Sequence, residues 1–166
     1  MTQRIVIMGV AGCGKSSVGA ALSQATGMPY CDGDDLHPPA NVAKMRSGTP
    51  LTDADRWPWL DLVGADLAQH APLMIGCSAL KRAYRDRIRS GAQGPVLFIH
   101  LAGSRAVIKA RMAARTDHFM PISLLDSQFA ALEPPDEGED HLTIDIDQPL
   151  PSVVAQAITG LARWRL

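Results

Sequence analysis

The chain has 166 residues, 46% hydrophobic and 20% charged, which is enough apolar content for one domain with a real core and excludes a largely disordered protein. Sixteen Lys and Arg against seventeen Asp and Glu give a net charge of −1, and aromatics are only 5%, so a general nucleic-acid binder is disfavoured. That balance is uneven along the chain: nine cations lie between Lys81 and Arg115, and nine carboxylates between Asp117 and Asp147.

In chain order, Arg4–Met8 is a short β-branched run ending at glycine and reads as a buried parallel strand. Val18, Ala21, Leu22 and Ala25 recur at helical spacing from Lys15 to Thr26, with Gly27 as the stop. Met28–Cys31 is a second strand, and Pro38-Pro39 opens a helix over about 40–47. Thr52 with Asp55 predicts a capping box for a helix that runs to about His70. Leu73–Cys77 is strand three, Lys81–Arg89 a basic helix and Pro95–Leu101 strand four. Ser104 caps a helix over Arg105–Arg115, Pro121–Leu132 is helical, and Glu133–Asp140 is an acidic loop. Leu142–Ile146 is strand five, and Pro151–Trp164 closes the chain as a helix. Five strands alternating with helices, none joined by a hairpin signal, predict an α/β fold: a five-stranded parallel sheet with helices on both faces.

Cys13, Cys31 and Cys77 form no C-x-x-C pair and sit beside no ligand set, so reduced thiols of a cytoplasmic protein are expected rather than disulfides or zinc. Arg4, the apolar run Ile5–Met8 and Val10-Ala11-Gly12-Cys13 imitate a lipoprotein signal. Gly9 ends the apolar run far short of the roughly 7–15 residues of an export signal, and nothing approaches the ~18 needed to span a bilayer, so no membrane partner is expected.

The same segment has a better reading. Gly9-Val10-Ala11-Gly12-Cys13-Gly14-Lys15-Ser16 fits G-x-x-x-x-G-K-[ST] between a strand and a helix. Glycines let the backbone turn its N–H groups toward phosphates, and the helix start, which includes Ser17, adds its positive dipole end. Lys15 reaches the β- and γ-phosphates of ATP, and the Ser16 hydroxyl ligates Mg²⁺. Strand three ends Ile75-Gly76-Cys77-Ser78 without the carboxylate usual in motors and switches, and no guanine-reading segment occurs. A small metabolite phosphotransferase fits best.

The acceptor belongs after strand two, at Asp32-Gly33-Asp34-Asp35-Leu36-His37-Pro38, where open α/β sheets bind ligands. In extended chain Asp32 and Asp34 share a side. One can approach the metal through water, and the other can take the proton of the attacking hydroxyl.

This block, with Asn41, Lys44-Met45, Gly48, Pro50-Leu51, Asp53, Asp55-Arg56 and Pro58-Trp59-Leu60, resembles the gluconokinase family of small P-loop kinases. Cys77-Ser78-Ala79-Leu80-Lys81, Tyr84-Arg85-Asp86, His118-Phe119, Leu124-Leu125, Ser127-Gln128-Phe129 and Asp145-Ile146-Asp147-Gln148-Pro149-Leu150 extend the resemblance over roughly residues 4–160. It implies a single P-loop kinase domain, 1–166, of the nucleoside- and shikimate-kinase-like type, with substrate-binding helices at about 38–70 and a lid at about 115–125. It also implies transfer of the ATP γ-phosphoryl group to the 6-hydroxyl of D-gluconate, with Mg²⁺, two small-molecule substrates and no nucleic acid. A homodimer stays open.

Under that resemblance Asp34 is the catalytic base and Asp32 the metal's water-mediated partner. Arg56, Lys81 and Arg85 are the cations available for the sugar carboxylate, with the choice among them open. Lys81, Arg85 and Arg89 repeat at i, i+4, and Lys81 and Arg85 lie near enough to the helix start to face the crevice, whereas Arg87 and Arg89 read as solvated. His37 either hydrogen-bonds a sugar hydroxyl or stabilises the turn, and Trp57 and Trp59 read as packing. Arg115, in the lid beside Thr116-Asp117-His118-Phe119, closes over the phosphates. Arg111 stacks on adenine, with Gln148-Pro149 on the other side. The competing readings are a kinase of another acidic metabolite, such as shikimate, and a non-catalytic nucleotide binder.

Overall fold

In β1 (Arg4–Met8) four consecutive residues, Ile5 to Met8, are fully buried. Neighbouring side chains on a strand point to opposite faces, so this strand must lie inside a sheet covered on both sides. The computed structural model describes residues 3–114 and 122–164. It pairs β1 with β2 (Tyr30–Asp32), β3 (Leu73–Gly76), β4 (Leu97–Ala102) and β5 (His141–Asp145) in one sheet of order β2-β3-β1-β4-β5. Every pairing is parallel, as expected. β3 and β4 share the near-continuous burial of β1, while the edge strands β2 and β5 are partly exposed.

Seven α-helices connect and cover these strands among the described residues: α1 (Lys15–Thr26), α2 (Pro39–Arg46), α3 (Asp53–His70), α4 (Arg82–Ala92), α5 (Arg105–Ala113), α6 (Ile122–Ala131) and α7 (Leu150–Trp164). α1 packs against α7, and α3 against α4. The capping box at Thr52 and Asp55 forms as expected, with both reciprocal hydrogen bonds present. Asp55 also accepts from Lys44 Nζ at 2.7 Å, which ties α2 to the start of α3. This hydrogen bond comes first among the causes that hold the Asp55 carboxyl at about 2. Among the described residues, no helix is long and apolar enough to cross a membrane.

Two features depart from expectation. β2 does not continue extended through the aspartates: Gly33–Leu36 is a 3₁₀ turn, capped by Asp32 Oδ1 accepting from Asp34 N at 2.9 Å. Asp32 and Asp34 therefore do not share a side as extended chain. The second departure concerns charge. The acidic loop folds back on the basic helix, where Asp136 and Glu139 pair with Arg82, Arg85 and Arg89. Arg82 pairs with Asp86 and Asp136, Arg87 with Asp61, Arg89 with Asp86 and Glu139, and Arg105 with Asp126. Arg89, expected to be solvated, is instead tied to the buried Glu139, whereas Arg87 is exposed as expected and meets Asp61 in a surface pair.

Candidate active site

The phosphate loop joins β1 to α1 at the carboxyl end of the sheet's central strand. Gly14, at the helix N-cap, has φ 98°, a conformation that glycine adopts without strain. No side chain caps α1 and its first turn carries no acid, so the dipole's positive end stays available to an anion. Lys15 Nζ donates to the carbonyls of Gly9 (3.0 Å) and Val10 (3.2 Å), folded over its own loop. The Ala11 N–H donates to Gln128 Oε1 at 2.6 Å, linking α6 to the loop.

Facing the loop is a cavity lined by Lys15, Asp34, His37, Arg56, Ser78 and Gln128, among others. The 3₁₀ turn presents Asp34 to it. Desolvation raises the Asp34 carboxyl above its ordinary value; Lys15 opposes that rise, and Asp32 and Asp35 add to it. Gly33 makes the turn possible, because a Cβ there would lie 2.4 Å from the Gly76 carbonyl oxygen. Trp59, 1% exposed, donates from Nε1 to the Gly33 carbonyl at 2.8 Å and stacks on the His37 ring at 3.8 Å. The tryptophan packs, as expected, and what it supports is the wall of this cavity. Trp57 meets Tyr84 edge-on at 5.8 Å, outside the cavity lining. Burial, then the Arg56 charge, lowers His37 to about 4, so its ring is neutral near pH 7.

The three candidate cations separate. Arg56 lines the cavity, with Nη1 donating to the Leu51 carbonyl (2.6 Å) and to the Tyr84 hydroxyl (3.1 Å). Lys81 is the N-cap residue of α4, donates to Asp53 Oδ1 at 3.4 Å and lies over the Tyr84 ring, outside the cavity lining. Arg85 is a correction. Its residue is 0% exposed, and all five guanidinium N–H groups are used: on both Glu139 carboxylate oxygens and on the carbonyls of Ala79, Leu80 and Glu133. It has no donor left for a substrate. Expected to face the crevice, Arg85 is instead enclosed by the acidic loop and lines neither cavity.

A second cavity lies on the other side of the phosphate loop, lined by Cys13, Gly14, Ser17, Arg111, Gln148 and Pro149, among others. The residues expected to surround adenine are thus brought together. Arg111 Nη2 donates to the Ile146 carbonyl, and Gln148 Nε2 to that of Asp145 at 2.6 Å. Arg115, and Thr116-Asp117-His118-Phe119 with it, lie outside the described residues.

Sequence reasoning assigned no role to Asn41, Tyr84 or Gln128, although all three fall within the family-like blocks. Only their placement shows that Asn41 backs His37, that Tyr84 backs Arg56 and that Gln128 touches the loop. Glu139 lay in a segment read simply as acidic loop.

A family model described as an AAA domain matches residues 5–135. The chain is 44% identical to the thermoresistant gluconokinase of Escherichia coli strain K12, over 96% of this chain and 94% of that one. It is similar to the crystal structure of a gluconokinase from Sinorhizobium meliloti 1021, with 51% identity, a TM-score of 0.91 and coverage of 98% and 93% of the two chains. Shikimate kinase from Aquifex aeolicus shares the fold at 18% identity and a TM-score of 0.61, over 96% of each chain.

Proposed function

The chain belongs to the gluconokinase family and is an ATP-dependent gluconate kinase, and from that premise we propose how its residues carry out the transfer. The observation that carries the reading is that Lys15 of the phosphate loop and Asp34 of the 3₁₀ turn line one cavity, with Arg56 in its wall. ATP lies along the loop and the N-terminus of α1, with adenine between Arg111 and the Gln148-Pro149 segment. Lys15 exchanges its loop carbonyls for the β- and γ-phosphates. Gluconate enters the facing cavity, with its carboxylate on Arg56 and its 6-hydroxyl at Asp34.

Transfer is direct and in line. The O6–Pγ bond forms as the bond from Pγ to the β–γ bridging oxygen breaks, and the hydroxyl proton passes to Asp34. The products are ADP and 6-phospho-D-gluconate. Arg115, by the family resemblance, supplies positive charge to the phosphates, and exclusion of water from the site favours gluconate over hydrolysis.

The donor set fits Mg²⁺. Among the described residues no cluster of three or more His, Cys, Asp or Glu forms a metal cage. Ser16 and one carboxylate oxygen of Asp32, whose other oxygen caps the turn, suit an ion that takes most of its ligands from phosphate and water. When bound, it would supply positive charge against the β- and γ-phosphates. All three cysteines are free, which fits a reducing cytoplasm.

The test is ADP release measured with D-gluconate, other sugar acids, shikimate and no acceptor. Turnover strongly favouring D-gluconate is expected. Equal or better turnover with shikimate would overturn the substrate assignment, and ADP release independent of any acceptor would overturn the kinase.

A further inference from the structure

Asn41 is 4% exposed and lies in the first turn of α2, four residues after His37. Its Nδ2 makes two contacts: it donates to the Asp55 main-chain carbonyl at 2.9 Å and meets His37 Nδ1 at 3.2 Å. The carbonyl can only accept, so the atom facing it is the amide nitrogen and not the amide oxygen. The second N–H of that nitrogen then faces His37 Nδ1, which must be the acceptor. A neutral ring with a lone pair on Nδ1 carries its proton on Nε2. The stack on Trp59 holds the ring in place.

His37 Nε2 lies 3.9 Å from Asp34 Oδ1. That is too long for a direct hydrogen bond, yet it lets one oxygen sit about 2.8 Å from both atoms. Both residues line the acceptor cavity. A hydroxyl there receives a hydrogen bond from Nε2–H and gives its own proton to Asp34, which leaves its remaining lone pair for phosphorus. With the proton on Nδ1 instead, Nε2 and Asp34 would be two acceptors facing a group that has one proton to give.

We propose that Asn41 is a positioning residue for the transfer: it fixes His37 as the Nε2–H tautomer, so that His37 and Asp34 clamp the reacting hydroxyl between one donor and one acceptor. The role of the clamp rests on the proposed gluconate reading; the tautomer does not. The step balances as above, with the hydroxyl proton on Asp34 and the phosphoryl group on the hydroxyl oxygen.

Nitrogen-15 histidine spectra of the unliganded wild-type protein near pH 7 test the tautomer without any substrate. A proton on Nε2 of His37 is expected, and a proton on Nδ1 overturns the proposal whatever the acceptor is. Kinetics test the clamp. His37→Gln, which keeps a donor near the Nε2 position, should retain clearly more kcat than His37→Asn, which does not. Equal values for the two overturn the clamp. Asn41→Ala should lower kcat about 10- to 100-fold with KM for ATP unchanged. The same substitution in a His37→Gln background should cost several-fold less, because its remaining loss is only the tie to Asp55. An equal loss in both backgrounds makes Asn41 purely structural and overturns the proposal. If the wild-type protein turns over another acidic metabolite in place of gluconate, the substrate reading fails while the tautomer and the two-background comparison still stand or fall on their own.

Discussion

Arg85 grips Glu139 with two parallel hydrogen bonds, Nε to Oε1 at 2.7 Å and Nη2 to Oε2 at 3.0 Å, with each side chain 1% exposed. Arg89 adds a third contact to the same carboxylate. One acidic residue thereby anchors the loop after α6 to the first turns of α4, beneath the carbonyls of Ala79 and Leu80 that Arg85 also holds. Burial alone would raise the Glu139 carboxyl, but the hydrogen bonds and charges of the two arginines outweigh it and hold the group at about 2.

Removing that carboxylate leaves a buried guanidinium without its counter-charge. Glu139→Gln should therefore cost about 3–5 kcal/mol of stability near pH 7, read from urea unfolding. The folded-state value lies below the ordinary 4.5, so the contribution is complete above the unfolded value and is lost as pH falls from about 4.5 toward about 2. The stability gap between wild type and Glu139→Gln should narrow through that window. A gap that is constant with pH would mean the carboxylate's ionisation contributes nothing.

Lys15→Ala and Asp34→Ala act on the chemistry rather than on the fold. Lys15 donates to the carbonyls of Gly9 and Val10 and to a nearby sulfur, and the Asp34 side chain lines a cavity rather than the hydrophobic core. Each substitution should lower kcat by about 10²–10⁴-fold while the circular dichroism spectrum and unfolding midpoint hold near wild type. Full activity of either variant with gluconate would remove that residue from the mechanism.

Arg56 and Lys81 were equivalent candidates in sequence, and the cavity separates them. Arg56→Ala should raise KM for gluconate roughly 10- to 100-fold, the cost of a lost charged hydrogen bond, and leave KM for ATP nearly unchanged. Lys81→Ala should change both by less than about threefold, since its pair with Asp53 is a surface contact. Steady-state kinetics on the two variants decide the matter, and a larger effect from Lys81 would reverse the assignment.

The central strands were legible because burial on both faces writes itself as an unbroken apolar run, as in Ile5–Met8. The phosphate loop was legible because its glycines and Lys15 are needed in fixed order beside a strand and a helix. Local capping was legible at Thr52 and Asp55 for the same reason: the interaction spans three residues. The fate of Arg85 was not legible. Its partners Glu133 and Glu139 lie about fifty residues away, and helical spacing gives only a side chain's direction. The turn at Asp32–Leu36 failed differently: two aspartates at i and i+2 fit extended chain and an Asx-capped turn equally well. What chose between them was the approach of Gly33 to the Gly76 carbonyl and the indole of Trp59, both long-range contacts.

That approach carries the last prediction. A methyl group at position 33 would meet the Gly76 carbonyl oxygen at 2.4 Å and the Ile75 side chain at 3.1 Å, and neither backbone nor strand interior can easily yield. Relief requires the 3₁₀ turn to lift off β3, which carries Asp34 away from Lys15 and strains the Trp59 hydrogen bond to the Gly33 carbonyl. Gly33→Ala should therefore cost about 1–3 kcal/mol in unfolding free energy. It should also lower kcat for gluconate by at least tenfold, because a displacement of about 1 Å at a catalytic group can cost a hundredfold. ATP affinity, set by the phosphate loop on the other side of the cavity, should hold within about twofold. Trp59→Phe supplies the control: it removes the indole N–H without adding bulk, so it should lower kcat less than Gly33→Ala does. If Gly33→Ala is stable and fully active, the close packing of the turn on β3 does not position Asp34.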